Sequence, residues 1–201
     1  MIPPGVGGVM AGRGYTIFDT AIGRCGIAWG DLGVIGVQLS EAREIETRRR
    51  LFQLFPEARE LRPVLNVEIA IEGIVALLRG GSVDFSDVIL DMNAIPAFNR
   101  RVYELTRTIP RGETRTYGEI AAKLKASGAS HSVAQAISKN PFMLIVPCHR
   151  VLEAGGYADR ISPYGGSISK RRLLSLEGAL SPGSKTLFDV LLPVAPPRPQ
   201  T

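Results

Sequence analysis

Between Gly14 and Leu39 the chain sets short β-type runs between turn residues, and beyond Asn93 its apolar spacing becomes helical. The runs Tyr15–Phe18, Gly26–Trp29 and Gly33–Leu39 predict a three-stranded meander. Ser40, ahead of a charged stretch to Leu54, predicts an N-capped helix, and Ile69 to Leu78 has the apolar spacing of a second. Asp84 to Asn93 is a polar-punctuated link. Past it, Pro96 to Thr108 predicts a helix with Phe98, Val102, Tyr103 and Leu105 on one apolar face, ended by Ile109-Pro110-Arg111-Gly112. Tyr117 to Leu124 predicts a short helix, Lys125 to Ala129 a turn, and Ser130 the N-cap of a helix through Ser138. Two short helices around a Gly-containing turn have helix-turn-helix form, although many helical hairpins bind nothing. The expected architecture is an α/β or α+β N-terminal domain with a small sheet (residues 1–92) and a mainly helical, winged-helix-like C-terminal domain containing a helix-turn-helix (residues 93–181). Residues 182–201 form a Pro-rich tail, expected to be flexible or extended.

Composition narrows the functional classes. A chain of 201 residues with 45% hydrophobic content suits a soluble, cored protein, and no apolar stretch approaches the roughly 20 residues of a membrane span. Met1 to Gly14 lacks the basic-then-apolar form of a secretory signal, so a cytoplasmic protein with no membrane partner is expected. Two cysteines (Cys25, Cys148) and two histidines (His131, His149) supply neither a disulfide framework nor zinc spacing, so no metal is expected. Cys25 has no assigned role and is expected to pack near Trp29. Charge is divided unevenly. Residues 1–92 carry nine Lys/Arg against twelve Asp/Glu, a net of −3, whereas residues 93–181 carry thirteen against six, a net of +7. A basic half joined to an acidic one points to a polyanion on one side, most often nucleic acid, with general solubility charge as the bland alternative.

The chemistry-bearing run is Pro147-Cys148-His149-Arg150-Val151, placed where the apolar stretch Phe142 to Val146 ends. A thiol with an ordinary pKa near 8.5 is only a few per cent thiolate at neutral pH unless a neighbour takes its proton. His149 could do so through a water. On an extended segment adjacent side chains point to opposite faces, so a bridged contact is expected over a direct one. From adjacency alone, a buried structural cysteine beside a surface histidine is an equal reading.

The wider pattern separates the two. Phe98-x3-Val102, Ile109-Pro110-x-Gly112-x3-Thr116-Tyr117-Gly118, Asn140-Pro141, the cysteine pentapeptide, Gly165-Gly166 and Lys170-x3-Leu174-x2-Glu177-Gly178 together resemble the methylated-DNA-protein-cysteine methyltransferases, or O6-alkylguanine-DNA alkyltransferases, over residues 96–178. The resemblance implies irreversible transfer of an alkyl group from guanine O6, and from thymine O4 as a further lesion, to Cys148. The product is a thioether that water cannot reopen, so each molecule acts once and no cofactor is required. His149 would take the thiol proton, Glu177 would orient it, and Asn140 would hold backbone between the recognition helix and the cysteine. Tyr117 would donate to the flipped base, and the carbonyls of Cys148 and Val151 would accept from its amino group. Arg150 is implied as structural support. His131, Ser132, Ala134, Ala136 and Gln135 would lie on the recognition helix, with small residues allowing close approach to double-stranded DNA, and Tyr164 and Gly165 would belong to the lid over the lesion. The expected state is a monomer able to cooperate along DNA. Two alternatives stand beside this: a protein that flags alkylated bases without transfer, whose relatives replace the cysteine, and a thiol hydrolase, for which no oxyanion hole is visible.

Two positions depart from the family pattern. His131 stands where the family has an arginine that fills the space of the flipped base, and Pro163-Tyr164 replaces the family's tyrosine-first lid, in a loop about two residues longer than usual for the family. Histidine is shorter and, with an ordinary pKa near 6.5, mostly neutral at pH 7. Flipping costs a few kcal/mol, so His131→Arg is expected to speed repair of an alkylated duplex and to leave the reaction with free alkylguanine unchanged. An unaltered duplex rate would remove His131 from that role.

Overall fold

The computed structural model describes residues 13–154 and 170–179. Strands β1 (Gly14–Thr20), β2 (Gly23–Gly30) and β3 (Gly33–Gln38) form the expected antiparallel meander. A two-residue strand not expected from the sequence, β4 (Arg59–Glu60), pairs parallel to β1 and gives the sheet order β3-β2-β1-β4. So short a run carries no alternation to detect.

The sheet is covered on both faces. Helix α1 (Glu44–Leu54) lies over the face that carries Gly26 and Gly36, where an added Cβ would run into Leu51 and Phe55. Because side chains alternate along a strand, Cys25, Ile27 and Trp29 point the other way, into the main core beside helix α2 (Leu65–Leu78). Cys25 is thus a free, buried thiol in the same cluster as Trp29. Ser40 does not cap α1. The helix begins three residues beyond the expected cap, with Arg43 at the N-cap position and no side-chain cap. Ser40 is instead buried and donates to the Glu41 carbonyl, while Thr47 accepts from the Glu41 amide.

The helical half follows the expected pattern closely. Helix α3 (Ala97–Arg107) buries Val102, Tyr103 and Thr106, with Phe98 and Leu105 packed at the core's edge. Strand β5 (Arg115–Thr116) runs into α4 (Tyr117–Lys123), and α5 (Ser130–Ser138) packs against both α4 and α3. Ser130 is the first helical residue of α5, not its cap; Ala129 precedes it without a side-chain cap bond. Strand β6 (Val151–Leu152) pairs parallel to β5, and α6 (Lys170–Leu176) closes the described chain. Tyr103 joins the helices: its hydroxyl donates to the Ala136 carbonyl at 2.9 Å, and its ring meets Phe142 edge-on at 6.2 Å.

One hydrophobic cluster runs from Cys25 to Leu173, across residue 92. The outer edge of β3 is where the halves interlock. Val34 donates to Ile89 and accepts from Asp91, and Val37 donates to the Pro141 carbonyl. Gly33 permits the first of these contacts. Its φ is +141°, and a Cβ there would lie 2.5 Å from the Ile89 carbonyl oxygen. Gly33→Ala therefore combines backbone strain with a clash against backbone, and is expected to destabilise the protein by about 1–3 kcal/mol in urea unfolding.

Candidate active site

The site is built outward from Asn140, at the end of α5. Its side-chain amide donates to the Val146 carbonyl at 3.0 Å and its carbonyl accepts from the Phe142 amide at 2.9 Å. The segment between is therefore closed on itself. The expected extended run Phe142 to Val146 is instead a tight turn: Val146 donates to the Phe142 carbonyl, and Leu144 adopts φ +72°, a left-handed conformation uncommon for a non-glycine residue. Apolar content alone could not separate a buried strand from a buried turn.

The Cys148 segment also differs from expectation. Cys148–Arg150 forms one 3-10 turn, closed by Arg150 donating to the Pro147 carbonyl, so Cys148 and His149 do not alternate across a strand. All three side chains are buried, Cys148 at 7% exposure and His149 at 1%. That removes the reading of His149 as a surface residue.

Glu177 joins the turn to α6. The helix ends on Gly178 with φ +74°, and this left-handed stop leaves Glu177 beside the 3-10 turn. One carboxylate oxygen accepts from His149 Nε2 at 2.9 Å; Arg150 spans both oxygens, from Nε at 2.9 Å and from a terminal nitrogen at 2.8 Å. The remaining arm of Arg150 donates to the Ile109 carbonyl at 2.5 Å. Arg150 therefore grips the carboxylate that orients the histidine.

These contacts set the charge states. Burial alone would raise the Glu177 carboxyl, but hydrogen bonds from His149 and Arg150 outweigh it and hold the group at about 2. Burial pushes His149 down, more than its bond to Glu177 lifts it, so the resting imidazole is neutral. With Nε2–H committed to Glu177, the lone pair lies on Nδ1, which is buried and has no hydrogen-bond partner among the described residues. Burial also raises the Cys148 thiol, against smaller opposing effects from Lys170 and the Asn140 side chain. The resting pair is thus thiol and neutral imidazole, beside a carboxylate matched by a guanidinium.

Tyr117 is positioned by the chain on both sides of it. Thr116 and Glu119 form a reciprocal capping box at the start of α4, in which the Thr116 hydroxyl accepts from the Glu119 amide and the Glu119 carboxylate accepts from the Thr116 amide. The β5–β6 pairing sets Arg115 against Val151 and Thr116 against Leu152, which ties Tyr117 to the segment leaving Cys148. On α5, His131, Ser132 and Gln135 are exposed and Ala134 half-buried. His131 Nε2 lies 3.1 Å from the Gln135 amide nitrogen. Ala136 is buried and its carbonyl is taken by Tyr103, so it does not share that outer face. Tyr164, Gly165 and Pro163 lie outside the described residues. Lys170 was missed from the sequence: its ammonium donates to the Val151 carbonyl at 3.2 Å and lies 5.9 Å from the Tyr117 ring centroid. The only available signal was its place at the head of the Lys170-x3-Leu174-x2-Glu177 motif.

Comparison with known proteins places the chain in a family. Residues 97–179 match the family described as 6-O-methylguanine DNA methyltransferase, DNA binding domain. The methylated-DNA–protein-cysteine methyltransferase of Methanothermobacter thermautotrophicus is 36% identical over 153 residues, which are 76% of this chain and 78% of that one. This chain belongs to the methylated-DNA–protein-cysteine methyltransferases. The family member of Mycolicibacterium paratuberculosis is 44% identical over 121 residues, 60% of this chain and 70% of that one. Among solved structures, Mycobacterium tuberculosis O6-methylguanine methyltransferase superposes with a TM-score of 0.65 at 34% identity, covering 88% of this chain and 99% of that one. The structure of Mycobacterium tuberculosis OGT in complex with DNA gives 0.64 at 29% identity, covering 82% and 92%.

The depressed Glu177 carboxyl and the buried neutral His149 both link stability to pH in one direction. Unfolding lets each bind a proton that the folded state refuses, so the contribution of these two groups is full above the ordinary histidine value near 6.5. It falls first as His149 becomes protonatable in the unfolded chain, then further as pH drops from about 4.5 towards 2 through Glu177. Glu177→Gln is expected to cost about 3–5 kcal/mol at pH 7, because Arg150 is left buried without its counter-charge, and to flatten the acid limb below pH 4.5. Urea unfolding from pH 8 to pH 2.5 measures both.

Proposed function

We propose that Cys148 is the acceptor in a single-turnover repair reaction that removes alkyl groups from guanine O6 in double-stranded DNA. The observation that carries this is the pairing, within one buried 3-10 turn, of a thiol and an imidazole whose Nε2 is committed to Glu177, leaving Nδ1 as the base. The thiol proton passes through a water to Nδ1 as the sulfur attacks the alkyl carbon. The S–C bond forms, the C–O6 bond breaks, and the electron pair leaves with guanine, which takes up a proton equivalent to the one His149 received, so the imidazole ends neutral. Glu177 supports the imidazolium, as the third member of a nucleophile triad does. Creating thiolate and imidazolium together leaves the buried network's net charge unchanged, so no uncompensated charge appears out of water. The alkyl donor is the DNA and the acceptor is the protein, so the chemistry calls for no cofactor.

Delivery of the base follows from the same frame. We read α4 and α5 as a helix-turn-helix, with the basic region 93–181 as the DNA-binding and alkyl-transfer unit. The exposed His131, Ser132 and Gln135 of α5, with Ala134 between them, form its DNA face. The target atom lies inside the duplex, so the nucleotide is flipped out and presented to Cys148. Tyr117 donates to the base, and the carbonyls of Cys148 and Val151 accept from its amino group.

Incubation with a duplex containing O6-methylguanine is expected to add one methyl group per protein, located on Cys148 by peptide mass analysis, with no second turnover. Cys148→Ser should still bind the duplex and gain no mass. Methylation elsewhere, or repeated turnover, would contradict the assignment.

A further inference from the structure

Lys170 sits where the proposed substrate would bind. Its ammonium hydrogen-bonds the Val151 carbonyl at 3.2 Å, lies 5.9 Å from the Tyr117 ring centroid, and exerts a field that favours the Cys148 thiolate.

We propose that Lys170 is a positioning residue that holds the Val151 carbonyl in the base-free protein and yields it to the base's amino group when the lesion enters. The inference rests on the reading of Val151 and Tyr117 given above. In that exchange one donor replaces another on the same oxygen, so the carbonyl is satisfied in both states and the buried acceptor is never left bare. The cation stays on the lesion side of the pocket, where it favours thiolate over thiol during transfer. Lys170 therefore opposes binding and assists chemistry. A lysine that served only to hold α6 in place would support both.

Single-turnover methyl transfer, followed over a range of concentrations of free O6-methylguanine and of a duplex containing it, separates the two effects. Lys170→Met keeps the aliphatic stem and removes the amine. It is expected to lower the half-saturation concentration for the free base by about fivefold, the worth of one hydrogen bond. The rate at saturation should fall by about tenfold or more, with the pH profile of Cys148 alkylation moved to higher pH. Lys170→Gln keeps a donor without the charge, so it should lose rate while holding half-saturation near that of the unsubstituted protein; Lys170→Arg should restore the rate. A half-saturation value that is unchanged or raised in Lys170→Met would overturn the exchange, because the base and the ammonium would then not compete. A variant that also loses thermal stability and is not rescued by arginine would do the same. Absence of transfer to Cys148 in the unsubstituted protein would instead remove the functional reading beneath it.

Discussion

The site depends on one carboxylate with two partners. Glu177 is buried at the end of a helix, where the dipole and the loss of water both oppose a negative charge. It stays ionised because Arg150 holds both oxygens and His149 donates to one of them. The same contacts fix the imidazole in the tautomer that presents Nδ1 as a base. A buried ion pair of this kind is weak evidence for stability as such. Its consequence here is chemical, since it turns a histidine into an oriented proton acceptor beside a thiol that burial keeps protonated at rest.

The fold supports this arrangement by closing short segments on themselves and then on each other. Asn140 folds the Phe142 to Val146 turn, the 3-10 turn follows from it, and Arg150 reaches to Ile109 at the end of α3. The two-residue β5–β6 pairing brings Tyr117 alongside. The N-terminal sheet acts from behind, where the edge of β3 is hydrogen-bonded both to the link at Ile89 and Asp91 and to Pro141 ahead of the turn. A continuous core then places the Cys148 segment against both halves.

Periodic features were legible from the sequence. The meander, α2 to α5 and the apolar face of α3 follow from alternation and helical spacing, and the family resemblance rested on motif order over residues 96–178. What escaped the sequence reading was local or three-dimensional. Ser40 matches the residue type of a cap, but its hydroxyl is used by a neighbouring carbonyl and the helix starts later. Phe142 to Val146 is apolar enough for a strand and is a turn, because Asn140 satisfies its backbone from within. Arg150 was seen as support without its partner, since nothing in a pentapeptide reveals a carboxylate 27 positions away. Lys170 was passed over for the same reason: its meaning lies in which carbonyl it faces.

Glu177 fixes His149 with a proton on Nε2 and a bare Nδ1. Nitrogen-15 NMR of the imidazole at pH 7 tests it most directly. A neutral ring with Nε2 protonated and Nδ1 unprotonated is expected, with loss of that fixed tautomer in Glu177→Gln. A resting imidazolium, or a proton on Nδ1 in the unsubstituted protein, would contradict it.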